Sequence, residues 1–225
     1  LVDCVGYLVD GAVGHMEDDM PRMVKTPWSD EEIPFSRAAE IGTKKVITDH
    51  STIGIVVTTD GSITDIDRSS YVEAEERVIR ELKQINKPYI VILNSTKPNG
   101  KEAKKLENEL SEKYNSRVIS MDIENMNEED FSNIFERVLE EFPVTEIGFD
   151  LPEWFNVLDL EHWLKQDVIG VVKEFLDKEY SIREINQLLD NISQKEEFKK
   201  VYLKDADMEN GNVKIEMDIT PEVFY

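Results

Sequence analysis

The sequence predicts an α/β fold with a mainly parallel sheet, followed by a smaller α+β region. Four apolar runs, at residues 1–7, 52–60, 88–96 and 116–123, are continuous rather than alternating. Such runs are typical of strands that are buried on both faces of a parallel sheet. Amphipathic segments separate them, and strand–helix alternation with short connections predicts βαβ units.

The predicted helices between and after these strands span residues 36–49, 70–86, 101–114 and 128–141. The second is the clearest, because its apolar residues recur at helical spacing while Glu and Arg occupy the other positions. Residues 8–35 interrupt the alternation with three prolines, two glycines and an acidic run. A connection of this length is more often functional or mobile than idle, so we expect a functional loop there.

The sequence changes character near residue 143. A strand is predicted at 144–152, helices between 154 and 189, and a half-buried strand at 212–219 whose apolar residues alternate. We therefore predict two domains, residues 1–143 and residues 144–225. The second is expected to be incomplete, because the chain stops just after a helix-start pattern at residues 220–222.

Composition restricts the classes of partner. The 225 residues include 48 acidic and 26 basic side chains, and the formal net charge is −22. A chain so acidic repels nucleic-acid backbones and anionic membrane surfaces, so we expect no nucleic-acid partner and no direct membrane binding. The single cysteine, Cys4, fits a reducing compartment, and no apolar run approaches the ~18 residues of a membrane span.

Asp3 and Gly6 end the first apolar run as Asp-x-x-Gly. In P-loop NTPases an Asp in this position holds Mg²⁺, and a Gly three residues later lets its backbone N–H approach the terminal phosphate. Chance matches to so short a pattern are common. Taken alone, the pattern leaves open that Asp3 only caps the end of a strand.

Two further polar loops follow predicted strands. Asn94 begins Asn-Ser-Thr-Lys, where GTPases carry Asn-Lys-x-Asp to read guanine, and the fourth position here is Lys97. An ammonium group only donates hydrogen bonds and cannot accept from guanine, so adenine becomes the expected base. Ser120 lies where such folds place their last base-contacting loop. The alternative for Asn94 is an ordinary turn.

The order of these motifs is that of a Ras-like P-loop NTPase domain from its third strand onward. One position departs from it: Tyr7 follows Gly6, where many small GTPases have a Gln that orients the attacking water. Another residue must place that water, or turnover is slow. Asp10, His15 and Asp18 are candidates, although each also fits a solvated loop.

The chain resembles the stage IV sporulation protein A family of endospore-forming bacteria. The resemblance rests on LVDCVGY, PRMVKTPW, IPFSRAAEIGTKKVITDHSTIGIVVTTDGSI, YVEAEERVIRELK, KPYIVILNSTKP and LSEKYNSRVISMDIENM, and continues in EFPVTEIGFDLPEWFNVL and NVKIEMDITPEVFY. It implies a TRAFAC-type ATPase that uses ATP and Mg²⁺ to drive self-assembly. It also implies a location in the mother-cell cytoplasm, at the outer forespore membrane, where the polymer is the base of the spore coat. The implied partners are other copies of the protein, a small amphipathic curvature-sensing membrane peptide and spore coat morphogenetic proteins.

The resemblance makes Asp3 the Walker B aspartate. The phosphate-binding pattern G-x-x-x-x-G-K-[ST] does not occur in the chain, and the resemblance places it N-terminal to Leu1. We therefore expect the fragment alone to be inactive and the longer protein to hydrolyse ATP. The alternatives are a non-catalytic structural scaffold with a degenerate NTPase fold and a regulatory GTPase.

Overall fold

A computed structural model describes residues 2–176 and 178–219. By its internal contacts the chain forms two compact units, Leu1–Ile134 and Phe135–Tyr225. The mixed architecture with a parallel sheet confirms the predicted fold class.

Unit 1 begins with two antiparallel hairpins where the sequence predicted a long loop. The hairpin strands are β1 (Met16–Glu17), β2 (Met20–Pro21), β3 (Met23–Thr26) and β4 (Ser29–Pro34). The first hairpin turns through Asp18 and Asp19, which both have positive φ, as tight hairpin turns require. These strands are short and mostly exposed, so the apolar pattern that predicts buried strands does not mark them.

The rest of unit 1 is the predicted βαβ arrangement. Its elements are α1 (Phe35–Lys45) with a π-helical turn (Val46–His50), β5 (Gly54–Thr59), α2 (Arg68–Gln84), β6 (Tyr89–Asn94), α3 (Lys101–Tyr114) and β7 (Val118–Met121). The three strands are parallel in the order β5-β6-β7. All three predicted strands and the three helices around them are confirmed.

The core of unit 1 lies between this sheet and helices α2 and α3. Its buried members are Ile47, Val56, Ile79, Leu82, Tyr89, Val91, Leu93, Leu110, Tyr114 and Val118. On the opposite face of β5, Ile55 and Val57 are 37% and 57% exposed. Alternation along β5 therefore buries one row of side chains under α2 and leaves the other row accessible.

The strand predicted at residues 1–7 is wrong for the described part of that segment. Residues 2–6 have no regular structure, and Leu1 lies outside the described residues. Among the described residues, β5 pairs only with β6 and no strand pairs with residues 2–6. An extended segment becomes a strand only when its backbone groups find a partner, which an apolar pattern cannot report.

The remaining helices and strands begin with α4 (Glu128–Glu140), in which the division between the units falls. They continue with β8 (Pro143–Val144), β9 (Glu146–Asp150), α5 (Trp163–Glu174), β10 (Tyr180–Ser181), α6 (Ile182–Ile192), β11 (Phe198–Asp207) and β12 (Asn212–Ile219), with short 3₁₀ turns at Ile123–Asn125 and Glu153–Val157. A three-stranded sheet has the order β11-β12-β9, antiparallel then parallel. Strands β8 and β10 form a separate antiparallel pair.

The core of unit 2 packs α5 and α6 on the buried face of this sheet. The predicted alternation in β12 is confirmed, since Val213, Ile215, Met217 and Ile219 are all buried. Trp154 packs on this core as expected, whereas Trp163, expected to do the same, is half exposed.

Strand β11 has no counterpart among the sequence predictions. Its Lys204 lies 2.7 Å from Glu216 of β12 and 2.9 Å from Asp150 of β9. The charges that hid this strand in the sequence thus form cross-strand pairs on the exposed face of the sheet. In the described part of the chain, no helix is long and apolar enough to cross a membrane.

Candidate functional site

Asp3 and Gly6 lie on a segment without regular structure beside β5, which pairs only with β6 among the described residues. Residues 2–7 and Gly54–Thr58 line the same cavity, of about 470 Å³. The Asp3 side chain is exposed, and Gly6 has φ +81° with no atom within 4 Å of a Cβ built on it. Gly6 is therefore favoured by its backbone conformation, and the space beside it is open to a ligand.

Tyr7, directly after Gly6, is buried, in contrast to residues 2–5. The Arg77 guanidinium lies 3.9 Å from the centre of the Tyr7 ring, and the Tyr7 hydroxyl donates a hydrogen bond to the Glu81 carboxylate. Burial, together with this hydrogen bond, raises the pKa of Tyr7 well above its usual range. A phenol committed in this way is not available to orient a water molecule beside Gly6.

The second group of polar residues lies at the carboxyl ends of β5 and β6, the edge where ligands bind in open α/β sheets. Asp60 accepts hydrogen bonds from the backbone N–H and the hydroxyl of Ser62, at 2.9 and 2.6 Å. The Ser62 hydroxyl in turn accepts from the backbone N–H of Thr96, at 3.0 Å. Partial burial opposes ionisation of Asp60, but hydrogen bonds from Ser62 and Ser95 outweigh it and lower the pKa.

Asn94 and Lys97 have different surroundings within this group. The Asn94 side-chain oxygen accepts from the backbone N–H of Ile123, at 3.1 Å, and so joins the loops that follow β6 and β7. The Lys97 backbone N–H donates to the Ser95 hydroxyl at 3.1 Å, while its side chain is exposed. The loop is thus fixed through its backbone and leaves the Lys97 ammonium free to meet a ligand.

Ser120 lies on β7 itself rather than on the loop that follows. Its backbone N–H donates to the Glu107 carboxylate at 2.9 Å, and its hydroxyl is 3.5 Å from the Ala103 carbonyl oxygen. Both partners belong to α3. The residue at the start of the loop is Asp122, two positions further along.

A buried polar cluster between α2, α3 and β5 was not found by the sequence analysis. Glu75 is buried, its carboxylate lies 2.8 Å from Arg68, and it accepts a hydrogen bond from the Tyr114 hydroxyl at 2.5 Å. Arg68 also donates to the Thr58 hydroxyl at 3.3 Å. The sequence pattern predicts that a Glu within an amphipathic helix is exposed. Only the contacts of Glu75 with Arg68 and Tyr114 in the structure reveal this cluster.

The predicted residues fall into two groups. Asp3 and Gly6 lie along the cavity beside β5, and Asn94 and Lys97 lie at the carboxyl edge of the sheet, with no hydrogen bond or ion pair between the groups in the part that the structure describes. Within those residues no three His, Cys, Asp or Glu side chains converge as a metal site. A lone exposed carboxylate such as Asp3 fits Mg²⁺ held through water, since Mg²⁺ keeps several of its waters.

Comparison with known proteins gives a family for both regions. The model of the stage IV sporulation protein A ATPase domain matches residues 1–143, and that of the middle domain of the same protein matches residues 144–225. No solved structure shows a significant match.

Relatives with the name stage IV sporulation protein A match along the whole chain. The proteins of Clostridioides difficile strain 630 and Bacillus subtilis strain 168 are 46% and 45% identical over 225 residues, and that of Bacillus anthracis is 44% identical over 224. This chain spans 46% of the length of each relative. With both family models matched from one end to the other, the chain belongs to the stage IV sporulation protein A family.

Proposed function

We propose that this chain is part of an ATP-hydrolysing protein that assembles into a polymer on the forespore surface, as the basement layer of the spore coat. The observation that carries the proposal is Lys97, exposed on a loop fixed by Ser95 at the carboxyl edge of a parallel sheet. In a GTPase that position needs a carboxylate to accept from guanine, and an ammonium group cannot do so. The name of the matched family model, an ATPase domain, also supports adenine as the base.

In this proposal each of the predicted site residues has a separate role. Asp3 orients a water ligand of Mg²⁺, and Gly6 offers its backbone N–H to the terminal phosphate. Asn94 holds the base loop through Ile123, Lys97 faces the base, and Ser120 supports the adjacent loop from β7. The bound Mg²⁺ and the phosphate-binding residues would neutralise charge that develops on the phosphoryl oxygens.

The attacking water requires a residue other than Tyr7, whose hydroxyl is bound to Glu81. Asp10 is exposed, and Asp18 lies in the turn of the β1–β2 hairpin. His15 is half-buried, and its Nδ1 is buried without a hydrogen-bond partner. An unpaired buried ring nitrogen is costly unless something engages it, which favours His15 among the three.

For self-assembly we propose the hairpins β1–β4 as the contact between copies. Their exposed apolar side chains include Met16, Met20, Met23 and Trp28. Large exposed apolar side chains grouped on one segment mark interaction surfaces more often than single ones do. The membrane peptide, the coat morphogenetic proteins and the mother-cell location are proposed from the family resemblance.

The test is phosphate release from ATP and from GTP by the full-length protein of this family that contains this chain. We expect the protein to turn over ATP but not GTP. Asp3→Ala should abolish the turnover of ATP, whereas the matched exposed control Asp49→Ala should keep it. Sedimentation in parallel reports assembly. Assembly that persists in Asp3→Ala without turnover would favour the alternative, a scaffold with a degenerate NTPase fold.

A further inference from the structure

A single buried aromatic side chain anchors the segment that carries Asp3 and Gly6. Residues 2–5 are exposed and lack regular structure, whereas Tyr7 is 9% exposed. The Tyr7 ring lies against the Arg77 guanidinium and its hydroxyl against Glu81, both on α2 and 70 or more positions along the chain. The path of the Asp3–Gly6 segment therefore depends on what holds Tyr7.

Arg77 is itself held from two helices. Its Nη1 lies 2.8 Å from a carboxylate oxygen of Glu40 on α1, and its Nε lies 3.3 Å from Glu81 on α2. The hydrogen bond from Arg77 lowers the pKa of Glu40, and burial keeps the Tyr7 phenol protonated as a donor. The guanidinium thus contacts a carboxylate of each helix and has an aromatic ring against its face, a combination suited to the planar, forked group of Arg.

We propose that Tyr7, Arg77 and Glu81 are positioning residues, which fix the backbone at Gly6 so that its N–H meets the terminal phosphate. The inference rests on the proposed ATPase function. Tyr7 thus has a role different from that of the Gln of small GTPases. Its side chain fixes the backbone at Gly6 by binding α2, and it does not contact the attacking water. Because Glu40 on α1 binds the same guanidinium, Arg77 also links α1 to α2.

The test compares Arg77→Met with Arg80→Met in the full-length protein, with ATP as the substrate. Both changes remove a guanidinium from α2, and Arg80 is an exposed residue that makes no contact with Tyr7 in the described structure. Displacement of a group by ~1 Å can lower a rate by roughly 100-fold, so we expect kcat in Arg77→Met to fall by about 10- to 100-fold. KM should change far less, because the base loop is untouched.

Hydrogen exchange over residues 2–9 gives a second readout that needs no turnover. We expect faster exchange there in Arg77→Met, no change in Arg80→Met, and a smaller effect in Tyr7→Phe, which keeps the ring and removes only the hydroxyl. Exchange over residues 2–9 in Arg77→Lys should stay close to that in Arg77→Met, because an ammonium group lacks the planar fork that binds Glu40 and Glu81 together.

The outcomes separate this inference from the proposed function. Unchanged exchange in Arg77→Met overturns the anchoring, whether or not the protein hydrolyses ATP. Faster exchange with unchanged kcat overturns the positioning role and leaves Tyr7 purely structural. A wild-type protein that releases no phosphate contradicts the ATPase proposal, and exchange over residues 2–9 then still decides whether Arg77 anchors Tyr7.

Discussion

Removing the Glu75 carboxylate is expected to destabilise unit 1 far more than removing an ordinary helix carboxylate. Glu75 is paired with Arg68 at 2.8 Å, and their side chains are 2% and 19% exposed. Exposed ion pairs are worth about 0–1 kcal/mol, whereas breaking a buried pair costs about 3–5 kcal/mol because one charge stays buried and unpaired. The burial of Glu75 decides between these two cases.

The magnitude follows from what Glu75→Ala leaves behind. The Tyr114 hydroxyl loses its carboxylate acceptor, and Arg68 keeps Thr58 at 3.3 Å as its hydrogen-bond partner. Arg68 is accessible enough to regain some water, which places the cost near the lower end of the range, at about 3 kcal/mol. The two losses share one carboxylate, so their separate costs are not added.

Hydrogen exchange of the β6 amides measures this cost, because fully buried strands exchange through openings of the whole unit. A loss of about 3 kcal/mol accelerates their exchange by roughly 100-fold, since each 1.4 kcal/mol is about tenfold. Glu73→Ala, on the exposed side of α2, is the matched control, and we expect it to stay within about 0.5 kcal/mol of wild type. If β6 exchanges equally slowly in both variants, the assignment of Glu75 as a buried ion-pair partner is wrong.

Three further changes test other parts of the chain. Lys97→Asp is expected to improve binding of GTP relative to ATP by about tenfold or more, since charged hydrogen bonds contribute about 1.5–3 kcal/mol; nucleotide competition measures this. Glu184 caps α6 with Ser181; burial opposes its ionisation, but hydrogen bonds outweigh burial and lower its pKa. The difference in free energy of unfolding between wild type and Glu184→Gln should therefore be largest above the unfolded pKa of about 4.3 and disappear as the pH falls through the folded pKa. Denaturation at several pH values measures this difference. Gly211→Ala should cost about 1–2 kcal/mol in thermal unfolding, because φ is +71° and the added Cβ would lie 3.0 Å from the Thr145 hydroxyl; equal stability would contradict this.

The parallel sheet of unit 1 was predictable because its strands are locally distinctive. Strands β5, β6 and β7 are continuous apolar runs, and β6 is buried along almost its whole length. Strand β11 escaped prediction because its exposed side chains are charged, and those charges are satisfied by residues on β9 and β12. The strand predicted at residues 1–7 has the right composition but no backbone partner among the described residues.

The candidate site likewise has residues that local sequence patterns indicate and residues whose surroundings depend on packing. Asp3, Gly6, Asn94 and Lys97 could be named as candidates because each lies in or directly after an apolar run, which is information local to the chain. The surroundings of Ser120, on β7 against α3, depend on how the helix packs, and no spacing reports that.

By itself the sequence determined the three parallel strands of unit 1 with the helices around them, the order of the polar loops and the family of the chain. These properties follow from side-chain periodicity and from motifs a few residues long. Only the tertiary structure decided that Tyr7 is bound by Arg77 and Glu81, and that Glu75 is buried beside Arg68. Sequence spacing shows neither that Glu75 is buried nor that Tyr7 and Tyr114 contact α2, because those contacts depend on how segments that are distant in the sequence pack on this helix.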